Sequence, residues 1–151
     1  MADIVSPSKR SQMMAGIKGK DTKPEILTRK ALHKRKLRYR LHQKGLPGKP
    51  DMVFTKYRTI VFVNGCFWHG HDCRLFKWPK SNPEFWRDKI SANKNRDSQN
   101  IATLLNSDWQ VLIIWECALR GISEYEASSL FDKIASDIRS QKIGKLRDYA
   151  G

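Results

Sequence analysis

One stretch decides how this chain folds: residues 59–73 read TIVFVNGCFWHGHDC. Its first five residues are all β-branched or aromatic, which predicts a buried strand. The loop behind this strand contains three side chains with metal-ligand chemistry and spacing, and a fourth follows a second apolar run: Cys66, His71, Cys73 and Cys117. Three thiolates and one imidazole complete a tetrahedral zinc shell. We therefore expect a structural zinc loop, with His69 left over beside it.

The cysteine count supports the zinc interpretation. The chain has 3 cysteines, whereas a disulfide framework needs an even number in a secreted chain, and no signal-peptide core follows the first residues. We therefore expect a reducing compartment, the cytoplasm. The alternative is that Cys66 and Cys117 are small core residues and that His71 is a surface histidine.

Length and charge limit the class of protein. A chain of 151 residues fits one domain that can bury a core, and no apolar run approaches a membrane span. Lysine and arginine total 29 against 15 acidic residues, for a net charge of +14. Such an excess indicates a polyanionic partner, most commonly nucleic acid. We expect one monomeric domain over residues 1–151, in which residues 1–20 form a basic arm that contacts DNA and no part contacts a membrane.

Hydrophobic patterning predicts the order of the elements. In chain order we expect a short helix over residues 6–14, a helix behind the capping box of residues 22–25, strands over residues 37–41, 51–54 and 59–63, a long helix from residue 81, a strand over residues 111–115 and a last helix capped by Ser123. The first three strands should form an antiparallel meander, and the fourth should join them through the long helix. This order predicts an α/β sandwich with a mixed central sheet flanked by helices.

Apolar stripes predict which helix faces are buried. The first long helix should bury Ile26, Leu27, Ala31 and Leu32. The next helix has an inward stripe in which two polar residues interrupt the apolar seam: Trp86, Ile90, Asn93, Asp97, Ile101 and Leu104. The last helix should bury Leu130, Phe131, Ile134 and Ile138.

Two strand ends should meet at one edge of the sheet. Asp51 begins one strand, and Val63 and Asn64 end its hairpin partner. This arrangement resembles the PD-(D/E)XK nuclease core, in which an acidic metal site lies at a sheet edge. The usual second acid and lysine are missing, because Phe62 or Val63 and then Asn64 stand in their places. The resemblance implies a restriction-endonuclease-like sandwich.

Further motifs narrow the resemblance. They are GCFWHGHDC at residues 65–73, Phe85-Trp86, residues 93–97 and WECALRG at residues 115–121. In this order they are similar to the very short patch repair (Vsr) endonucleases, over residues 10–121. The resemblance implies a Mg²⁺-dependent enzyme that nicks one strand of double-stranded DNA 5′ to the thymine of a T·G mismatch. It also implies mismatch-repair proteins as partners and action at the bacterial nucleoid.

The resemblance also implies roles for individual residues. Asp51 would bind Mg²⁺ directly and the Val63 backbone carbonyl would be a second ligand, since a hard cation accepts either kind of oxygen. His69 would activate the attacking water while Asp97 orients its ring. The structural alternatives are an incidental surface histidine and a salt-bridged helix carboxylate. Glu25 is explained by the capping box, yet the family also has an acid there, near the metal.

Asn64 departs from the family, whose members commonly have histidine at this position. A histidinium would bring positive charge to the scissile phosphate, whereas asparagine offers only a neutral donor. We expect the rate, or its pH dependence, to differ for that reason.

Aromatic side chains should act on the DNA. Phe67, Trp68 and Trp86 can insert into the base stack, where unstacking costs ~ a few kcal/mol and least at a mispaired step. Ordinary packing is the alternative, and it is our prediction for Phe85. Met14 would approach from the opposite groove, as in the family.

Polar residues supply further candidate DNA contacts. Asn93 either bonds a loop carbonyl or acts on DNA. Candidate phosphate contacts are Arg10, Lys18, Lys20, Lys94 and Arg96.

Two other functions stay open on the sequence alone. One is a zinc-stabilised DNA-binding protein without cleavage, against which the retention of Asp51, His69 and Asp97 together argues. The other is a restriction-like nuclease without mismatch specificity. Neither the base context of the mismatch nor a partner methyltransferase follows from the sequence, because readout depends on which side chains reach which base edges.

Overall fold

Four α-helices and five strands lie in residues 22–151, the part of the chain that the computed structural model describes. The helices are α1 (Lys23–Lys34), α2 (Pro83–Asn106), α3 (Glu116–Leu119) and α4 (Glu124–Arg139). The strands are β1 (Arg40–Leu41), β2 (Met52–Phe54), β3 (Thr59–Asn64), β4 (Gln110–Trp115) and β5 (Leu146–Tyr149). None of the helices in this part combines the length and the apolar character needed to cross a membrane. The helix expected over residues 6–14 lies outside the described residues.

The five strands form one mixed sheet in the order β1-β2-β3-β4-β5. β1, β2 and β3 pair antiparallel, and β4 joins β3 in parallel after α2. The predicted meander and helical crossover are therefore confirmed. A 3-10 turn over Thr55–Tyr57 reverses the chain between β2 and β3, and Arg58 closes it with φ of 50°.

Alternation along β3 and β4 builds an apolar layer on each face of the sheet. Val61 and Leu112 belong to the layer that packs under α1 and α4. Ile60 and Val111 belong to the layer under α2. Burying each such side chain contributes ~1.5–3 kcal/mol, so both faces of the sheet need a helical cover. The result is the expected sandwich of helices on a mixed sheet.

The two longer carboxyl-proximal helices bury the predicted stripes. In α2, Ile90 and Leu104 are buried and the other stripe residues are half-buried. In α4, Phe131, Ile134 and Ile138 are buried. Ser123 caps α4 reciprocally: its Oγ accepts from the Glu126 N–H at 3.1 Å, and Glu126 Oε1 accepts from the Ser123 N–H at 3.3 Å.

The prediction for α1 is wrong at two positions. Ile26 and Leu27 are 38% and 42% exposed, and the buried face contains Glu25, Thr28 and Leu32. Polar residues can occupy this face because their bonds are satisfied; the Thr28 hydroxyl, for example, donates to the Pro24 carbonyl at 2.8 Å. The core-facing stripe is therefore rotated away from the one that hydropathy predicts.

The first strand is shorter than predicted. Only Arg40–Leu41 pair with β2, although the expected strand covered residues 37–41. Leu37 is buried before the strand begins, and Leu41 is 42% exposed. β1 lies at the edge of the sheet, so only one side of it has a partner and pairing stops after two residues.

The fifth strand is absent from the sequence prediction because its residues are mostly polar. Contacts with α4 hold it in position. The Tyr149 hydroxyl donates to Asp137 Oδ2 at 2.5 Å, and Arg147 forms an ion pair with the same carboxylate. Burial, followed by the hydrogen bond to Asp137, raises the pKa of Tyr149 far above its ordinary range. Tyr149 therefore remains a neutral donor.

Candidate metal centre and active-site cleft

Four metal-ligating side chains converge where β3 and β4 end. The ligand atoms of Cys66, His71, Cys73 and Cys117 all lie within 4.8 Å of one another. The parallel pairing of β3 and β4 brings the loop behind β3 next to α3, which begins directly after β4. Tetrahedral zinc with bonds of ~2.3 Å would hold its sulfur ligands ~3.8 Å apart. The donor set and its spacing therefore fit one metal ion, as predicted.

The loop around this centre is supported by contacts from both sides. The His71 ring stacks on Trp115, with 4.0 Å between ring centroids and 6° between planes. The Gly151 N–H donates to the Cys117 sulfur at 3.3 Å. Gly70 has φ of 63°, and a Cβ atom there would lie 2.6 Å from Ile90. Only glycine fits this position, where the loop passes over α2.

Burial keeps the Cys66 thiol from being a free nucleophile. Cys66 is fully buried, and desolvation raises the pKa of its thiol to about 12. The thiolate that coordinates a metal therefore forms only with a cation beside it.

Beside the metal centre lies a cleft of about 250 Å³. The five side chains predicted to be catalytic all line it: Glu25, Asp51, Asn64, His69 and Asp97. They come from four different parts of the fold: α1 (Glu25), the residue before β2 (Asp51), the end of β3 with the loop behind it (Asn64 and His69) and α2 (Asp97). Tertiary structure thus brings together residues as distant in the sequence as Glu25 and Asp97, which are 72 positions apart.

Two oxygen donors face each other at the floor of the cleft. Asp51 Oδ2 accepts a hydrogen bond from the Val63 N–H at 2.6 Å. The N–H and C=O of one strand residue point to the same side, so the Val63 carbonyl also faces Asp51. The Val61 carbonyl, two residues earlier on β3, accepts a hydrogen bond from the Asp51 N–H at 3.1 Å. This bond shows that the carbonyls of Val61 and Val63 point to the side of β3 on which Asp51 lies. Asp51 and Val63 thus meet as predicted for a hard-cation site.

A second acid stands next to Asp51. Glu25 is 3% exposed. Burial raises the pKa of Asp51 to about 7; the Val63 N–H opposes this, and the neighbouring charge of Glu25 adds to it. A divalent cation bound beside Asp51 would offset the effect of burial and of the neighbouring Glu25 charge on its carboxylate.

Glu25 takes part in the cap of α1 and in an ion pair. The Thr22 hydroxyl accepts from the Glu25 N–H at 3.4 Å. Arg29 donates to Glu25 Oε2 at 2.9 Å, and it also lies 3.1 Å from Nε2 of His42. Glu25 also lines the cleft.

His69 and Asp97 form a close pair across the loop and α2. His69 Nδ1 lies 2.5 Å from Asp97 Oδ2, and the two side chains are 30% and 31% exposed. A hydrogen bond donated from Nδ1 leaves the lone pair on Nε2. The geometry is compatible with the predicted general base and orienting acid, and His69 is the loop histidine that lies outside the cluster of metal-ligand side chains.

Three aromatic rings cluster beside the cleft, and two of them, Phe67 and Trp68, line an adjoining pocket that shares His69 with it. Phe67 lies 5.2 Å from Trp68 and 5.3 Å from Trp86, and the two tryptophans are 5.8 Å apart. All three are half-buried. The prediction of core packing for Phe85 is wrong, because that ring is 55% exposed. It precedes Trp86 by one residue, which rotates it out of the inward stripe of α2.

The polar candidates divide into three groups. Asn93 donates to the Trp68 carbonyl at 2.8 Å, so the loop-bonding alternative is realised, and Arg96 donates to Asn93 at 3.4 Å. Lys94 is exposed beside Gly70. The remaining candidates lie outside the described residues: Arg10, Met14, Lys18 and Lys20.

Two residues of the site are missing from the sequence prediction. Arg29 lies four positions after Glu25, and i, i+4 pairing on a helix could have revealed it. Trp115 stacks on His71, its ring centroid is 6.3 Å from that of His69, and its indole N–H donates to Asp148 at 3.4 Å. Only the parallel alignment of β3 and β4 brings that ring under the loop.

Comparison with known proteins identifies the family of this chain. The family model described as DNA mismatch endonuclease Vsr matches residues 2–75. The DNA mismatch endonuclease Vsr of Escherichia coli strain K12 is 41% identical over 151 residues, which cover 100% of this chain and 97% of that protein. A type II nicking enzyme of Xanthomonas oryzae is 44% identical over 84% of this chain and 93% of its own length. Another, from Neisseria meningitidis, is 48% identical over 80% of this chain and 86% of its own length. These identities extend over nearly the whole of each relative, and we conclude that the chain belongs to the Vsr family of DNA mismatch endonucleases.

Proposed function

We propose that this protein nicks one strand of double-stranded DNA 5′ to the thymine of a T·G mismatch, in a hydrolysis that depends on Mg²⁺. The observation that carries the proposal is that Asp51 and Val63 line one cleft together with the His69–Asp97 pair. The relatives support it through their names, which describe a mismatch endonuclease and nicking enzymes.

The cation site would be formed by Asp51 and the Val63 carbonyl, with Glu25 acting through water. These donors suit a hard cation that keeps several waters. Magnesium bound there would neutralise charge on the scissile phosphate and on the leaving oxygen. Arg29 donates to the Glu25 carboxylate and the Val63 N–H donates to that of Asp51, so both acids are held in position where they line the cleft.

Proton transfer would belong to His69. Its Nε2 accepts a proton from the attacking water, while Asp97 accepts the Nδ1 hydrogen bond and stabilises the imidazolium that forms. Asn64, 8% exposed in the same cleft, would donate a hydrogen bond to a phosphate oxygen. A neutral amide can orient the phosphate without adding charge.

Mismatch selection would come from the rings of Phe67, Trp68 and Trp86. Inserting them into the base stack costs least where pairing is already weak. Asn93 supports this wedge, because its bond to the Trp68 carbonyl fixes the backbone that carries two of the rings. The zinc shell of Cys66, His71, Cys73 and Cys117 would stiffen the same loop.

The whole chain, residues 1–151, would form one restriction-endonuclease-like domain. Residues 1–20 would be the basic arm, with Met14 reaching the opposite groove and Arg10, Lys18 and Lys20 contacting phosphates, as Lys94 and Arg96 would from α2. The protein would work as a monomer at chromosomal DNA in the cytoplasm, together with mismatch-repair proteins.

The test compares labelled duplexes that are matched or carry one T·G pair. With Mg²⁺ and purified protein, we expect one cut, in the strand with the mispaired thymine, and an intact matched duplex. Asp51→Asn is the control, since it keeps the side-chain shape and removes the charged ligand. Equal cutting of both duplexes would identify a restriction-like nuclease, and tight binding without cutting would identify a DNA-binding protein.

A further inference from the structure

The aromatic cluster continues beyond the proposed wedge. Phe67 stacks on Phe76, with 5.8 Å between centroids and 22° between planes, and Phe76 contacts Trp78 edge-on at 4.9 Å. Trp78 is 51% exposed at the end of this row. A large indole ring that is half in water and continuous with a ligand-facing cluster is typical of an interaction surface.

The residues around this ring are basic. Residues 74–80 read RLFKWPK and contain no acid, and Lys77 and Lys80 are exposed on either side of Trp78. Arg74 is engaged within the protein, because it donates to the carbonyls of Cys117 and Arg120 at 3.3 and 2.9 Å. It anchors the segment to α3, while the two lysines face outward.

We propose that residues 76–80 form a second DNA contact, which packs on the sugar–phosphate backbone of the duplex beside the mismatch. Trp78 would lie on a deoxyribose, and Lys77 and Lys80 would contact the phosphates that flank it. A backbone carries apolar sugars between charged phosphates, and this segment carries an apolar ring between two cations. The partner is the DNA of the proposed function, on which this inference rests.

The position of the contact follows from the ring distances. Two centroid steps, of 5.8 and 4.9 Å, join Phe67 to Trp78. With base pairs ~3.4 Å apart, Trp78 lies within about three base-pair steps of the wedge. It therefore meets DNA just outside the mismatch. Such a contact reads no base, so it strengthens matched and mismatched binding equally.

The first experiment measures binding by the full chain in Ca²⁺, so that cutting does not interfere. Trp78→Ala should weaken binding to the matched and the T·G duplex by the same factor, about five- to tenfold. The variant lacks the half of the ring that is exposed in the free protein and that DNA would bury in both complexes. Tyr125→Ala is the matched control, since Tyr125 is an aromatic residue 81% exposed on α4, and it should change neither. No loss with Trp78→Ala, or a loss confined to the T·G duplex, would overturn the inference.

A second experiment depends on different residues and so guards against misfolding of one variant. The Lys77→Ala/Lys80→Ala protein should lower the slope of log affinity against log salt by about 1.8, or ~0.9 for each phosphate contact. Single methylphosphonates, which remove one phosphate charge, should then be scanned across about four base pairs on each side of the mismatch. At one or two positions the substitution should weaken the wild type and leave the double variant unaffected. An unchanged slope, or equal losses at every position in both proteins, would contradict the contact.

The two proposals fail separately. If the wild type binds duplex DNA and these variants bind equally well, only the second contact is lost. If the wild type does not bind duplex DNA in Ca²⁺, the proposed function and this inference fall together.

Discussion

At the scale of single residues, the pKa of Asp51 would set the pH range in which the proposed cation binds. Burial raises that pKa to about 7, and only the ionised carboxylate is a ligand, so binding below pH 7 must release a proton. We predict that apparent Mg²⁺ affinity rises by up to ~tenfold per pH unit toward pH 7 and then levels off. Calorimetric titration across pH measures this. Asp51→Asn should show no such rise, and a flat wild-type profile would contradict the prediction.

The raised pKa of Asp51 also makes the stability of the metal-free protein depend on pH. Because the pKa in the folded state lies above its ordinary value of 3.8, the folded chain holds this proton more tightly than the unfolded chain does. The contribution of Asp51 to the free energy of unfolding is therefore greatest at acid pH and is lost as pH rises from about 4 to about 7. Ligation of a cation offsets that loss.

A substitution at Asn64 can test whether positive charge or hydrogen bonding to the scissile phosphate promotes nicking. Asn64→His should raise the nicking rate, most on the acid side of neutrality, where imidazole is protonated. The gain is ~10²-fold at most, and we expect a smaller one because Asn64 is nearly buried, at 8% exposure. Single-turnover rates across pH decide. An unchanged profile would mean that the amide already supplies what is needed.

At the scale of elements, the metal shell joins the loop behind β3 to α3 behind β4. We predict that Cys117→Ser lowers zinc from about one ion per chain toward none and abolishes nicking, because His69 belongs to the same loop. The apolar layers on both faces of the sheet lie outside the loop, so the variant should still unfold cooperatively. Elemental analysis and thermal unfolding measure the two effects.

A matched control for this variant lies on the neighbouring helix. Ser123→Ala removes the cap of α4 and should cost ~1 kcal/mol of stability while zinc and activity are retained. Full zinc occupancy in Cys117→Ser would remove Cys117 from the shell.

At the scale of the whole molecule, net charge should dominate affinity for DNA. With a formal charge of +14, we predict that binding weakens ~10³- to 10⁵-fold between about 50 and 200 mM salt, as for roughly six to ten phosphate contacts. Trp68→Ala should lower the preference for T·G over matched DNA and leave the salt slope unchanged, because a ring releases no counterions. Binding isotherms on both duplexes test this, and a changed slope in Trp68→Ala would mean that the ring also positions cations.

The topology of the whole molecule can be predicted from the sequence because the sequence patterns that determine it are local. The runs of β3 and β4 are long, apolar and unbroken, and α2 between them requires a parallel crossover. The order of elements, the pairing of β3 with β4 and the convergence of the four metal-ligating residues therefore agree with the prediction. Tyr149 and the rest of β5 do not follow, because a mostly polar strand has no apolar signal and is held by Asp137 on another element.

What the sequence determined by itself is the set of chemical groups, the order of the elements and the parallel strand ends that bring Cys66 and Cys117 together. What only tertiary structure decided is which face of each element the neighbours cover. Ile26 is exposed and Glu25 is buried in α1, the reverse of what hydropathy predicts, because the cleft and not the apolar layer lies against that turn. The periodicity of a helix carries information about that helix alone. Burial, and the proximity of carboxylates such as Glu25 and Asp51, depend on atoms contributed by distant segments.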